Sequence, residues 1–425
     1  MNKVKSQSYL NALKRNLVPA LGCTEPISIA YAAAKATEVL GKVPDRMEMI
    51  CSGNIIKNVK GVMVPNACGL RGVEIAAVLG VVGGNAEKKL EVLQEVTPAH
   101  VEKAKQLIRD GFFSYTLAEG VANLYISTTV FAGTHFARVT IVNHHTHITE
   151  IVSDEQVLYH CDPEKEDDET DWNLWSIRDI LDYANNADLA ECKEILDRQI
   201  EMNSAISQEG LTNSYGAEIG RTILNCYGES DVRIRAKAIT AAGSDSRMGG
   251  CTMPVVINSG SGNQGLTVSL PVIEYAKEWN LPKENLYRAL LVSNLISIYQ
   301  KHYIGSLSAF CGAVTAACGS GAAITYMSGG DYAAICRTII NTVANVGGII
   351  CDGAKSSCAA KIASSVDAAI MAHCMSMNGK VFMPGEGIVK GDIEESLKSF
   401  GYVGSVGMKG TDIHVLQLMM NLVNL

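Results

Sequence analysis

Aromatic residues and clustered positive charge are both scarce in this chain of 425 residues. Aromatic residues make up only 6% of the sequence although 47% is hydrophobic, so the interior must be built largely from Ala, Val, Ile, Leu and Gly. The net charge is -8, and Lys and Arg form no block. This composition favours closely packed helices and argues against binding to nucleic acid or to an anionic membrane surface.

The N-terminal segment lacks the apolar core of a secretion signal, and its spacing predicts an amphipathic helix instead. Two long uncharged runs lie between Arg247 and Glu274 and between Ile304 and Asp331. Both are dense in small and polar residues, so we interpret them as buried segments and glycine loops rather than membrane spans. We therefore expect a cytoplasmic protein that does not act at a membrane.

Thirteen cysteines are many for a chain without an export signal, and in a reducing compartment they should not form a disulfide framework. Free cysteines are usually small, buried apolar residues. We apply that interpretation first to five of them: Cys161, Cys192, Cys226, Cys336 and Cys374.

Hydrophobic periodicity divides the chain into three parts. Residues 1–95 predict the N-terminal part of a helical core, and residues 172–425 predict mostly helices. Between them, residues 96–171 predict one helix, then three strands with period-two alternation, then an acidic linker at 162–171. We therefore expect a mainly α protein with a large helical catalytic core and a small inserted α+β domain.

Three further cysteines, Cys311, Cys351 and Cys358, follow the spacing C-x39-C-x6-C in segments rich in Gly, Ala and Ser. Thiolates that converge from separate segments, in a pocket left open by small residues, suit an iron–sulfur cluster. Three protein thiolates on a four-iron cluster would leave one iron free for a substrate. The alternative is three buried thiols in Ala-rich helices. A zinc site would usually bring a fourth Cys or His at short spacing, and none is present.

The segment LGCTEP places Cys23 just before a predicted helix whose first turn contains Pro26. Amide groups and the dipole at a helix N-terminus lower the pKa of a thiol. Cys23 is therefore a candidate base, nucleophile or metal ligand, and its alternative role is that of a structural turn residue.

Polar loops supply candidates for binding a carboxylate. The segment SGSGNQG does not match a phosphate-loop or dinucleotide fingerprint, but its amides could hold a carboxylate, as could the guanidinium of Arg247 in GSDSRMGG. Ordinary tight loops are the alternative. The candidate substrate-binding residues are Asn54, Lys57, Asn58, Asn66, Ser244, Arg247, Ser259, Ser261, Asn263 and Gln264.

Two other features are ambiguous. The segment GMKGTD contains Lys409 and Asp412, which could close a site. The His144–His147 cluster is interpreted as a hairpin feature, with metal binding as the alternative.

Together the segments LGCTEP, SGNIIKN, GSDSRMGG, SGSGNQG, GIICDGAKSSC, GMKGTD and the one around Cys311 resemble the L-cysteine desulfidase family. That family is related to the α-chain of iron–sulfur L-serine dehydratases. The resemblance implies a [4Fe-4S] cluster held by Cys311, Cys351 and Cys358, and a functional role for Cys23. Serine dehydratases carry a late cysteine that can cap the fourth iron, but no cysteine follows Cys374 here. Cys23, water or substrate is left for the open iron.

The implied reaction is elimination of sulfide from L-cysteine without pyridoxal phosphate, giving pyruvate and ammonia. In this hypothesis the open iron binds the leaving group, Arg247 and the SGSGNQG amides neutralise the carboxylate, and Cys23 is the base, with Lys409 as the second candidate. The alternatives are an iron–sulfur L-serine dehydratase, a non-catalytic iron–sulfur redox protein and a metal-free binding protein. The expected partner is an amino-acid substrate, and a homodimer is expected.

Overall fold

The computed structural model describes residues 3–163, 170–305 and 307–421. Its helices are α1 (Lys3–Asn16), α2 (Thr24–Leu40), α3 (Gly53–Lys60), α4 (Val73–Gly83), α5 (Pro98–Arg109), α6 (Ile177–Asn186), α7 (Lys193–Thr212), α8 (Ile219–Tyr227), α9 (Val232–Met248), α10 (Gly262–Glu278), α11 (Lys283–Ile304), α12 (Gly312–Met327), α13 (Tyr332–Val346), α14 (Ser357–Met377), α15 (Ile393–Tyr402) and α16 (Lys409–Met419). Its strands are β1 (Pro19–Leu21), β2 (Arg46–Ser52), β3 (Phe113–Ala118), β4 (Tyr125–Ala132), β5 (His135–Val142), β6 (Ile148–Ser153), β7 (Gln156–His160) and β8 (Pro254–Val256).

The mainly α prediction is confirmed, and small residues explain how the helices pack. In the core, α11 lies against α12, and a Cβ at Gly319 would stand 2.4 Å from the carbonyl oxygen of Ser293. In the N-terminal part, α2 lies against α4, and a Cβ at Gly80 would stand 2.4 Å from the carbonyl oxygen of Ala30. Only glycine permits such backbone approach, as the low aromatic content led us to expect.

The main sheet is larger than the sequence predicted. Its strand order is β3-β2-β4-β5-β6-β7, with β2 parallel to β3 and antiparallel to β4. The prediction of three strands was wrong, because five strands lie between Phe113 and His160 and a sixth, β2, comes from residues 1–95. Strand β2 pairs on both sides with strands that are distant in sequence, and such pairing leaves little local signal.

The domain boundaries after residues 95 and 171 remain a prediction. The sheet joins β2 to the later strands, and α2 packs against β4 and β5, so the sheet and the N-terminal helices share one hydrophobic core. Residues 164–169 of the acidic segment lie outside the described residues. Across the described ranges, no helix combines the length and apolarity needed to span a bilayer.

Candidate functional site

A two-residue bridge brings Cys311 and Cys351 together. Phe310 and Ile350 pair as an isolated antiparallel bridge, and the amides of Cys311 and Cys351 donate across it, at 2.9 and 2.6 Å, to carbonyl groups of the opposite segment. Side chains alternate between the two faces along each extended segment. Cys311 and Cys351 each follow a bridged residue, so both thiols project to the face opposite the side chains of Phe310 and Ile350. Their thiols are within hydrogen-bonding reach of each other.

Helix N-termini surround these thiols. Cys311 is the N-cap residue of α12, Cys358 lies in the first turn of α14, and Cys23 is the N-cap residue of α2. Cys23 and Cys358 pack in one small cluster that also contains Met248, and Cys358 interacts electrostatically with Cys351. The partial positive charge at each N-terminus favours anionic ligands here.

Lysine side chains add further positive charge. The hydrogen bond with Cys311, together with the charges of Lys57 and Lys361, lowers the pKa of Cys351 to about 6, while the same contact and burial raise the pKa of Cys311. Burial lowers the pKa of Lys301, which lies beside both cysteines. The side chain of Lys57 is 1% exposed and pairs at 2.5 Å with Asp412 of α16.

Cys23 does not have the environment that the sequence predicted. It occupies the expected helix N-cap, but burial and the neighbouring Glu25 carboxylate raise the pKa of its thiol, and Arg247 offsets this only in part. The thiol donates a 2.8 Å hydrogen bond to Oε2 of Glu25. The predicted lowering of the thiol pKa was therefore wrong, because the carboxylate two residues later outweighs the helix dipole.

Glu25 is the centre of a buried polar cluster. Its Oε1 accepts a 3.0 Å hydrogen bond from Asn58, and Nε2 of His145 lies 3.9 Å away. Burial alone would raise the pKa of Glu25, but His145 and the Cys23 thiol lower it to about 2, so the carboxylate is charged at neutral pH. The β5–β6 turn that carries His145 is held to α2 because Ser28 donates a 2.7 Å hydrogen bond to the carbonyl of His145.

Arg247 connects this cluster to the thiols. Its side chain is fully buried and is close enough to Cys23, Glu25 and Cys358 for their charges to act on it. One terminal nitrogen donates a 2.7 Å hydrogen bond to Asn263, and the other donates to the carbonyl of Gly22. Nε of Arg247 has no hydrogen-bond partner among the described residues, so a buried donor is left for a ligand.

The first turn of α10 completes the site. A Cβ at Gly262 would lie 2.4 Å from Cζ of Arg247, and a Cβ at Gly312 would lie 2.6 Å from Cδ of Gln264. The guanidinium and the Gln264 amide therefore rest directly on glycine backbones, and Gly312 immediately follows Cys311. The predicted substrate loop and the predicted cluster segment are adjacent in space.

Comparison with known proteins agrees with this arrangement. The family model described as serine dehydratase alpha chain matches residues 87–417. The chain belongs to the serine dehydratase alpha chain family. Enzymes of this family are of the dehydratase or lyase type and generally depend on an iron–sulfur cluster.

Several relatives are similar along nearly the whole chain. A UPF0597 protein of Lachnoclostridium phytofermentans is 52% identical over 98% of this chain and 100% of its own length. UPF0597 proteins of Desulfitobacterium hafniense and Treponema denticola are 49% and 45% identical over 98% and 99% of this chain, and 97% and 99% of their own lengths. These names show relatedness along the whole chain and say nothing about the substrate.

The thiols suit the iron–sulfur cluster that the serine dehydratase family uses. No set of three His, Cys, Asp or Glu side chains within the described ranges is arranged around a single metal ion. Three soft ligands from two helix N-termini and one loop, surrounded by lysines, match the donor set and charge that a cluster requires.

The remaining predicted residues of this family member are spread over several elements of the fold. The predicted loop SGNIIKN is instead helix α3, and its Asn54, Lys57 and Asn58 are one turn or less apart along it. Both Asn54 Oδ1 and the hydroxyl of Ser244 are buried and unpartnered in the described part of the chain. Ser259 donates to Asn258 at 2.9 Å.

Among the other predicted residues, Ser261 and Asn66 hold local backbone structure, and Lys409 lies at the start of α16. Ser261 is the N-cap of α10 and accepts from the amide of Gln264. Asn66 has φ 57° and donates to the carbonyls of Leu93 and Gln94, so its amide fixes a loop. Lys409 begins α16 with an exposed side chain and no side-chain hydrogen bond within the described ranges, and its role as the second candidate base stays a prediction.

Sequence reasoning missed the roles of Glu25 and His145. Glu25 was part of the LGCTEP segment but was read only as a neighbour of Cys23, and His145 was read as part of a hairpin. Glu25 is the only charged residue between Arg15 and Lys35, and His145 belongs to the His144–His147 cluster, but only the fold shows that they meet across 120 residues of chain.

Proposed function

We propose that this family member is an iron–sulfur-dependent L-cysteine desulfidase. The observation that carries the proposal is the convergence of Cys311, Cys351 and Cys358 beside the unpartnered donor of Arg247. In the overall reaction, L-cysteine and water give pyruvate, ammonia and hydrogen sulfide. A site that combines soft metal ligands with a buried arginine suits an amino acid whose leaving group is sulfur.

Cys311, Cys351 and Cys358 would hold a [4Fe-4S] cluster. When bound, such a cluster supplies a Lewis-acidic iron, without a protein ligand, for the leaving group. Lys57, Lys301 and Lys361 would compensate the negative charge of the thiolates.

Arg247 would bind and neutralise the substrate carboxylate. Its Nε is buried and unpartnered and lies against the first turn of α10, where the backbone N–H of Gln264 donates to the Ser261 hydroxyl. Neutralising the carboxylate makes the Cα proton more acidic, because the carbanionic character that develops at Cα is no longer opposed by a full negative charge.

His145 would accept the Cα proton. Its Nε2 is buried without a hydrogen-bond partner in the described chain, and Glu25 lies 3.9 Å away to stabilise the imidazolium that forms. The Cα–H electron pair becomes the second bond between Cα and Cβ as the Cβ–S bond breaks, and hydrosulfide leaves with the electron pair of that bond. The proton held by His145 then balances the release of hydrogen sulfide. Aminoacrylate then takes up water to give pyruvate and ammonia. Cys23, a protonated donor to Glu25, would position that carboxylate rather than act as the base.

L-Serine dehydratase is the second candidate, because the family model that matches this chain carries that activity in its description. The same proton transfer would then expel hydroxide and release no sulfide. A non-catalytic iron–sulfur protein would turn over neither substrate.

An anaerobic assay separates these candidates. Protein purified without oxygen is analysed for iron and sulfide and then given L-cysteine or L-serine while pyruvate and hydrogen sulfide are measured. We expect pyruvate and sulfide in equal amounts from L-cysteine, and a higher kcat/KM than for L-serine. A preference for L-serine would replace the proposal with the second candidate, and a colourless, iron-free protein would refute both. Sedimentation of the same preparation tests the expected homodimer.

The His145→Gln and Cys23→Ser variants test the roles of the two side chains. We expect the His145 variant to keep its iron and lose at least about 100-fold in kcat, as is usual when a general base is removed. Cys23→Ser keeps a donor to Glu25 and should lose less. The reverse order would return the role of base to Cys23.

A further inference from the structure

Gln264 has a buried acceptor that the protein does not use. The residue is 6% exposed, and its Oε1 has no hydrogen-bond partner in the described part of the molecule. A buried polar atom without a partner destabilises the folded protein, so such an atom is usually completed by a ligand.

The unpartnered acceptor and an unpartnered donor, which come from α10 and α9, both lie at the first turn of α10. The Gln264 amide rests on Gly312, next to Cys311, and the Arg247 guanidinium rests on Gly262, two residues before Gln264. Nε of Arg247 is the buried donor without a partner. A positive donor from α9 and a neutral acceptor from α10 therefore lie together beside the three thiols.

A zwitterionic α-amino acid has the complementary groups, a carboxylate that accepts and an ammonium that donates. Glu25, the nearby anion that could otherwise take the ammonium, already accepts hydrogen bonds from Cys23, Thr24 and Asn58. Its oxygens are therefore engaged within the protein.

We propose that the side-chain carbonyl of Gln264 binds the α-ammonium group while Arg247 binds the carboxylate. This pairing would make the site selective for α-amino acids over acids that lack the amine. This inference rests on the proposed function because both place the substrate carboxylate at Arg247. It adds selectivity for the α-ammonium group, which the reaction alone does not require.

The test compares an unreactive amino acid with the same acid lacking its amine. L-2-Aminobutyrate has the shape of L-cysteine with a methyl group in place of the thiol, and butyrate lacks the ammonium. Binding of each to the anaerobic holoprotein is measured by calorimetry. Because a hydrogen bond to a charged group is worth about tenfold or more in affinity, we expect the wild type to prefer the amino acid by at least that factor.

Two variants of Gln264 determine which substrate group it faces. Gln264→Met keeps the length of the side chain and removes the acceptor, so we expect aminobutyrate affinity to fall about tenfold and butyrate affinity to change by less than about threefold. Gln264→Glu keeps the shape and adds charge. Beside an ammonium it should preserve amino-acid binding, whereas beside a carboxylate it would weaken both ligands. Iron content must match the wild type in each variant.

The outcomes that overturn the inference are distinct from failure of the proposed function. Equal affinity of the wild type for the two ligands, loss of both ligands in Gln264→Glu, or an effect confined to Asn54→Leu, whose unpartnered oxygen is the alternative acceptor, would each overturn it. Selective amino-acid binding in a protein that turns over neither L-cysteine nor L-serine would refute only the proposed reaction.

Discussion

The buried ion pair between Lys57 and Asp412 makes a quantitative prediction about the C-terminal helix. The side chain of Lys57 is 1% exposed and that of Asp412 is 15% exposed, with 2.5 Å between Nζ and Oδ1. No residue of α16 is fully buried, and the helix packs mainly on α3. Asp412→Leu therefore removes one of the strongest contacts that hold α16 in place.

The expected cost is large because Lys57 would remain buried without a partner. Breaking a buried pair by removing one member typically costs about 3–5 kcal/mol. We take the lower end, about 3 kcal/mol, because Asp412 is partly exposed and Lys57 regains water once α16 lifts away. That free energy corresponds to roughly a 150-fold increase in the population of the open state.

Hydrogen exchange measures this opening directly. We expect the amides of α16 in Asp412→Leu to exchange roughly 150-fold faster than in the wild type, while those of α11 stay unchanged. The double variant with Lys57→Met should recover much of the protection, since no unpaired charge remains. Lys105→Met removes a surface pair with Glu102 and should change local exchange less than about threefold.

A change below threefold in Asp412→Leu would refute the reasoning, because it would mean that the pair contributes no more than a surface contact. Failure of the double variant to recover protection would show that Lys57 has a second role, which its proximity to Cys351 would then explain.

Three further predictions concern the metal ligands, the backbone and the pH dependence. Cys358→Ser should lower the iron and sulfide content of anaerobic protein to less than about half of the wild-type value, because serine is a harder ligand than a thiolate. Gly265→Ala should destabilise the protein by about 1–3 kcal/mol and lower its Tm, because the new Cβ would lie 2.0 Å from the carbonyl oxygen of Val256. The lowered pKa of Glu25, about 2 in the folded protein, adds stability that is present above pH 4.5 and is lost as the pH falls toward 2. The difference in unfolding free energy between wild type and Glu25→Gln should therefore shrink by up to about 3 kcal/mol between pH 6 and pH 2.

Each of these has a matched control. Cys226→Ser, at an exposed cysteine, should keep full iron content, and full iron in Cys358→Ser would remove that residue from the ligand set. Gly391→Ala meets no atom within 4 Å and should leave the Tm unchanged, so an equal loss in both glycine variants would contradict the clash. A pH-independent difference for Glu25→Gln would show that the carboxylate is not stabilised in the folded state.

The sequence was most informative where a local rule fixes the structure. The N-cap position of Cys23 follows from Pro26 in the first turn of α2, and the single helix expected before the strands follows from apolar spacing; both signals act within one or two turns. The mainly α architecture follows from the abundance of small apolar residues.

The sequence was least informative where distant segments meet. Strand β2 has the sequence RMEMICS, which gives no strong β signal alone, and its position is set by pairing with β3 and β4 more than 60 residues later. The pKa of Cys23 was predicted from the helix dipole alone, and the prediction failed because a partial charge at a helix end is weaker than a full carboxylate in a buried site. The contact between Glu25 and His145 has no recognisable pattern in the sequence, because the two residues are 120 positions apart.

The ion pair between Lys57 and Asp412 also orders events in time, because its two residues are 355 positions apart in the chain. The ribosome synthesises α2, α3 and the strands of the main sheet well before α12, α14 and α16. During that interval Arg247 and the thiols of the later segments are not yet in place. Cys311, Cys351 and Cys358 can therefore hold a metal together only after translation has passed Cys358.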